Sequence, residues 1–233
     1  MMQTLLIACA ACGIAMAQNP PLPPSGKPLP KLSNGKPDLS GMWMYQPIGN
    51  QESAPYKTEV LPKVRALAKE MTADPGVGCF LLGTPRVTTW GTFPFKIIQT
   101  PNETIILHEA MRTFRDIPTD GRGHSRDVEN TFMGESIGHW EQDTLVVDTI
   151  GFNDKTWLAG AGSIHSENLH VIERYSPTAD GRIHYEAVAE DPQMLTHPWK
   201  VVDGIFNGAP GGDMISEYEC IDGNRVLIER QKL

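Results

Sequence analysis

From Phe93 onward, apolar and polar residues alternate over short runs broken by turn residues, the period-two pattern of half-buried strands. "FKIIQT", a "PNE" turn and "TIILHEAMRTFRDI" read as an antiparallel hairpin followed by a bend. "SIGHWEQDTLVVDTIGF" reads as a second hairpin, and a two-residue loop at Gln142-Asp143 sets Trp140 opposite Leu145 and His139 opposite Val146. "NLHVIERYSPTADGRIHYEAVAED" is a third, turning at Thr178 to Gly181. "HPWKVVDGIF" and "MISEYECIDGNRVLIERQ" complete the set, the latter turning at Asp222-Gly223-Asn224. Before Phe93 the spacing is helical only in "TEVLPKVRALAKEM", where Leu61, Val64, Leu67, Ala68 and Met71 recur on one face. Pro62 fits only in a first turn, so the regular part is expected from Pro62 to Met71.

Strands in hairpin succession with little helix predict an all-β chain. The expected architecture is an antiparallel meander closed into a lipocalin-like (calycin) barrel of about eight to ten strands, with one N-terminal helix. A β-sandwich is the alternative. Residues 18–37 form a proline-rich leader with little to bury. Leu39, Met42 and Trp43 in "DLSGMWMY" supply the first apolar anchors, so one domain is expected over 38–233.

Composition adds a compartment. The apolar run from Leu5 to Ala17 carries no charge and closes on Ala15-Met16-Ala17, the pattern cut by signal peptidase, which predicts residues 1–17 as a signal peptide cleaved after Ala17. That run is shorter than the roughly 20 residues a spanning helix needs. "LIAC" ending at Cys9 resembles a lipoprotein box, but too little apolar sequence precedes it, so lipidation ranks second. A periplasmic or extracellular location follows. The net charge of -8 argues against nucleic acid or an anionic membrane as partner. Two cysteines lie beyond the export segment, Cys79 and Cys220, and form a disulfide candidate in an oxidising compartment; two buried thiols are the other reading.

Two long stretches resist strand assignment: 119–136, "TDGRGHSRDVENTFMGES", and 153–167, "NDKTWLAGAGSIHSE". Long irregular loops in compact domains are often functional, and both carry histidine, carboxylates and an aromatic. His124 and His165 in these loops are the acid–base candidates, with Asp148 or Glu167 placed to orient one of them. Asp148 stands inside the valine-rich run "TLVVDT" and needs a partner if buried, either as a structural acceptor or as a general base. In "SIHSENLHVIER" the strand is expected to start near Asn168. His170 and Arg174 then share one face and Glu173 and Tyr175 the other. Either pair is placed to line a cavity or to stand on a solvated rim. Phe132 and Trp157 in the loops, with Trp140, Asn153, Tyr175 and Trp199, are the candidate substrate contacts.

Other chemistries find no support. His165 and His170 are five apart, which sends them to opposite faces of a strand, and no third and fourth ligand stands nearby, so no metal is expected. There is no phosphate-binding or dinucleotide glycine motif, so no cofactor is expected. Ser136 in "GESIG" lacks the context of a nucleophile elbow.

"DLSGMW", "MGESIGHWEQDTLVVDTIGFNDKTWL", "HSENLHVIERY", "EDPQMLTHPW" and "EYEC" together resemble a large set of secreted bacterial proteins marked by MGxSxGxWExDTLVVDTxGFN. The resemblance covers most of residues 38–222 and implies export, with no particular activity attached. His124, Trp140, Asp148, Asn153, Trp157, His165, His170, Glu173 and Trp199 match the pattern. The chain departs from it at His139 and Gln142, where that set carries arginine and glycine. The functional expectation is a secreted, cofactor-free lyase, isomerase or hydrolase acting on a small cyclic or aromatic molecule. It would use histidine–carboxylate catalysis in a barrel cavity. The alternative is a periplasmic carrier or scavenger of a small molecule.

Overall fold

The computed structural model describes residues 22–91, 93–160, 162–210 and 214–220. The expected export segment and the last expected hairpin turn and strand, after Cys220, lie outside them. No helix among the described residues is long and apolar enough to cross a membrane.

Nine strands make one continuous antiparallel sheet: β1 Gly41–Pro47, β2 Phe95–Thr100, β3 Glu103–His108, β4 Thr113–Pro118, β5 Glu135–Glu141, β6 Thr144–Ile150, β7 His170–Pro177, β8 Ile183–Glu190 and β9 Trp199–Gly208. Their order across the sheet is β4-β3-β2-β1-β9-β8-β7-β6-β5. One continuous sheet excludes the sandwich. Two meanders, β1–β4 and β5–β9, are zipped by the pairing of β1 with β9, so the sheet curls into a nearly closed barrel whose opening lies between β4 and β5.

The seam follows from counting. With nine strands each antiparallel to its neighbours, β4 and β5 meet running in the same direction. Parallel neighbours need a long crossover rather than a hairpin, and residues 119–134 make that return along the barrel. Side chains hold the two edges together. The Arg115 guanidinium reaches from β4 to Ser136 Oγ on β5 (3.0 Å), to Thr149 Oγ1 on β6 (3.2 Å) and to the Glu173 carboxylate on β7. Gly138 gives Ile117 and Thr119 room to lean on β5, since a Cβ there would stand 3.1 and 2.9 Å from their methyl carbons.

The interior is filled. Phe95, Tyr175, Tyr185 and Phe206 are buried, with Tyr185 stacked on Phe206 at 4.6 Å and Phe95 edge-on to it at 4.7 Å. Ile97, Ile106, Ile117, Leu145, Val147 and Val171 close the rest, the inward half of each alternating run.

Local chemistry revises several boundaries. The second hairpin has the expected register, Trp140 opposite Leu145 and His139 opposite Val146. The third turns where expected, over Thr178 to Gly181. Thr178 N–H donates to the Arg182 carbonyl at 2.8 Å, its hydroxyl also bonds Arg182, and Gly181 takes φ +86°. This register sets His170 opposite Glu190. Helix α1 is shorter than its apolar spacing suggested, Leu61–Leu67, because Lys69 and Glu70 N–H groups bond three residues back and tighten into turns. A second short helix, α2 Arg86–Thr89, was not expected. "EYEC" forms no strand. Ser216 N–H donates to Glu109 and Glu217 pairs with Arg112, so this stretch spends its polar groups on the β3–β4 connection. It ends in the expected disulfide, Cys79–Cys220.

Candidate functional site

The strand faces decide which candidate residues can meet. Along β6, Leu145, Val147 and Thr149 point inward and Val146, Asp148 and Ile150 outward; along β7, Val171, Glu173 and Tyr175 are buried while His170, Ile172 and Arg174 face out. Asp148 pairs with Ile172, which puts its side chain diagonally beside His170 on the outer face. The return segment 119–134 then lays His124 against Asp148.

The result is an alternating row of carboxylates and imidazoles. His124 Nδ1 lies 3.0 Å from Glu135 Oε1 and its Nε2 2.9 Å from Asp148 Oδ1. His170 Nε2 lies 3.0 Å from the same Asp148 oxygen, and its Nδ1 lies 3.3 Å from Glu190 Oε2. The Asp148–His170 contact is short but out of line: His170 Nε2 is shut off from solvent and makes no directed hydrogen bond. Side-chain exposure runs from 18% for His124 to 43% for Glu190, so the row is shielded without being sealed. Glu135 also accepts the Ser125 N–H at 2.7 Å. Hydrogen bonds from Ser125, and then from His124, hold its carboxyl below the usual range.

Beside this row runs a cleft of about 580 Å³ along the seam. Its floor is Phe114, Arg115 and Asp116 of β4 with Glu135, Ser136 and Ile137 of β5. Its wall is the return segment, every second residue from Gly123 to Met133 (Ser125, Asp127, Glu129 and Thr131 between them), with Arg122 and Gly134 at the two ends. That alternation marks an extended chain with one side to the cleft. Glu135 belongs to both the cleft and the row, and His124 lies between two wall residues.

Other predicted residues lie elsewhere. Glu173 is inside the barrel, fully buried. It accepts from Arg115 Nη1 (2.9 Å), Tyr175 OH (3.0 Å) and Tyr185 OH (2.7 Å). Burial alone would lower the Arg115 pKa, but the facing carboxylate more than offsets it and keeps the guanidinium charged. The Tyr175 and Tyr185 hydroxyls are pushed up, by burial first and Glu173 second. His165 is buried in the second loop. It donates from Nδ1 to the Ser166 carbonyl (2.9 Å) and accepts the Thr156 hydroxyl at Nε2 (2.7 Å). Burial pushes its pKa down, so it acts there as a neutral strut. Ser136 is spent on Arg115 and Thr149.

None of the six expected substrate contacts lines the cleft. Phe132 stacks on Phe80, Trp140 packs on the core edge under Lys36, and Asn153 caps the Lys155 N–H. Trp157 is buried near Arg86, Tyr175 is interior, and Trp199 donates to the Glu52 carbonyl. Glu135 and Glu190, which grip the outer nitrogens of the two histidines, were missed. Glu135 was legible from the second hairpin, where it sits diagonal to Asp148. Glu190 was missed because no pairing register was read for the third hairpin, in which it stands opposite His170.

Comparison with protein-family models finds none that matches the chain, and comparison with curated proteins finds no match either.

Proposed function

We propose that the protein is an exported enzyme of the hydrolase, lyase or isomerase type that transfers protons at the His124–Asp148–His170 row. Its substrate is a small cyclic or aromatic molecule held in the adjoining seam cleft. One observation carries this reading: two histidines from separate stretches converge on one oxygen of Asp148, and their other ring nitrogens are gripped by Glu135 and Glu190. A histidine oriented by a carboxylate at the wall of a cleft is the arrangement proton transfer requires. Phe114, Met133 and Ile137 give the cleft its apolar surface. The chemistry sits outside the barrel, not in a barrel cavity, because the interior is occupied by aromatic rings and the Arg115–Glu173 pair. With the interior so filled, a carrier reading would have to use the same seam cleft.

The test is a panel of aryl esters, lactones and cyclic ketones assayed with the wild type, Asp148→Asn and Glu173→Gln. Turnover lost in Asp148→Asn at unchanged fold supports the site. Turnover retained in Asp148→Asn sinks it. Panel members that bind the cleft and leave it unaltered establish a binding protein instead.

A further inference from the structure

The seam cleft carries a charge that the chain itself does not balance. Four carboxylates line it: Asp127 and Glu129 on the return segment, Asp116 on β4 and Glu135 on β5. Two arginines also reach it, and both are spent. Arg115 is paired with the buried Glu173. Arg122 is locked through Nε (2.9 Å) and Nη2 (2.6 Å) onto Asp120. Glu135 is engaged by His124 and Ser125. The Asp127 and Glu129 carboxylates make no hydrogen bond and no ion pair among the described residues. Asp116 stands beside another carboxylate, Glu103. Repulsion from Asp116, then a hydrogen bond to it, raises the Glu103 pKa above its ordinary value, and Arg122 relieves this only in part. A cleft of one sign of charge between low-dielectric walls focuses its field and concentrates ions of the opposite sign.

The same cleft presents an aromatic face. Phe114 stands on its floor with 65% of its surface exposed, an outward residue between the turn of the chain and the buried Arg115. The face of a phenyl ring attracts a positive head group, and does so more strongly for organic cations that shed water easily. A bare metal ion fits this cleft less well. No three of its four carboxylates bring oxygens within 4.8 Å of one another, as the donors of His184, Glu186 and Asp203 do elsewhere on the barrel. They are spread around a guest that has a body.

We propose that the cleft selects an organic cation, a protonated amine or quaternary ammonium on a cyclic or aromatic body, with Asp127 and Glu129 as the carboxylates that set this preference and Phe114 against its apolar face. This rests on the preceding reading of the cleft as the substrate site and names the class of substrate it takes. The wall also sets a length. Ser125, which bonds Glu135, lies two residues from Asp127 and four from Glu129. On an extended segment that is roughly 7 to 13 Å, so the reacting group of the guest stands about that far from its charged head.

The experiment is calorimetric titration of the full chain at neutral pH with three probes of one shape and three charges: phenylbutylamine, phenylbutanol and phenylbutyrate. The variants are Asp127→Asn, Glu129→Gln, the two together, Phe114→Leu and Glu59→Gln. Asp127, Glu129 and Phe114 are exposed, so none of these changes removes core packing. Glu59→Gln removes an equal charge from an exposed position outside the cleft. The expected result is that the amine binds about 10-fold or more tighter than the alcohol, with the butyrate weakest. Each single carboxamide should weaken the amine about 2–5-fold, the usual worth of an exposed charge pair, and leave the alcohol unchanged. The double variant should bring the two within about 2-fold of each other. Phe114→Leu should also cost the amine about 2–5-fold. Glu59→Gln should change nothing. An amine bound no tighter than the alcohol overturns the proposal. So does a preference that survives the double variant, or one lost equally in Glu59→Gln. Turnover is read separately: amine preference with turnover retained in Asp148→Asn keeps the cation site and sinks the proton-transfer reading, whereas turnover lost in Asp148→Asn with no amine preference does the reverse.

Discussion

Replacing Glu173 by glutamine separates a structural strut from a catalytic acid. The carboxylate is fully buried and meets three donors at one oxygen, with Arg115 Nη2 at the other. Glutamine keeps the shape but removes the charge and turns an NH₂ group toward the guanidinium. Breaking a buried ion pair on one side costs about 3–5 kcal/mol, because the remaining charge is stranded in a medium that cannot solvate it. The loss extends to the seam, since the same guanidinium ties β4 to Ser136 and Thr149. For a domain of this size each kcal/mol moves the melting temperature by roughly 2–4 °C, so Glu173→Gln should melt about 6–20 °C lower. Arg115→Met combined with Glu173→Leu removes both charges. It should cost less than the two single changes summed, with a coupling of about 2 kcal/mol or more. Urea unfolding of the wild type, Glu173→Gln, Arg115→Met, Glu173→Leu and the double variant reads all of this. If Glu173→Gln unfolds within about 1 kcal/mol of wild type and yet loses turnover, the strut assignment is wrong and Glu173 acts in the chemistry.

His108, fully buried, is pushed down to about 3, by burial first and by the Arg115 charge second. Its folded pKa lies below the ordinary value, so the unfolded chain takes up a proton that the folded one refuses. Stability therefore falls as pH drops from about 6.5 toward 3, by up to about 1.4 kcal/mol per unit. Urea midpoints at pH 7 and pH 5 should show a slope in the wild type that flattens in His108→Met. Cys79→Ser opens a loop of 141 residues. It should lower stability by about 5 kcal/mol or less on the chain-entropy argument, read by urea unfolding. Gly138→Val places side-chain atoms where Ile117 and Thr119 already lie, and should cost about 1–3 kcal/mol by thermal melting. No change there would mean that the seam is slacker than its contacts imply.

Period-two alternation was enough to give the sheet, because each inward run had to bury itself and each hairpin had a turn signal. It also sorted Glu173 and Tyr175 onto one face of their strand and His170 and Arg174 onto the other, while leaving open which face turns inward. What alternation cannot give is which edge of the sheet stays open. That depends on β1 pairing with β9, a contact between distant residues set by core packing and not by any local signal. The open seam in turn dictates a long return segment, and the return segment is what delivers His124. The second loop carries the same residue types, yet its histidine ends as a buried strut, because Thr156 and Ser166 satisfy both ring nitrogens.

The two histidines thus differ in what their second nitrogen meets. A hydroxyl and a carbonyl complete His165 without charge, whereas three carboxylates surround His124 and His170. If the row were only a clamp holding the return segment, glutamines at His124 and His170 would bond the same carboxylates through their NH₂ groups. The geometry would then survive with less charge buried. Two imidazoles gripped from behind, of which only His124 makes a directed bond to Asp148, bring more ionisable groups together than a clamp requires. Comparing His170→Gln with the wild type in melting temperature and in turnover tests this directly. A clamp predicts both unchanged, whereas a proton-transfer site predicts unchanged melting with turnover lost.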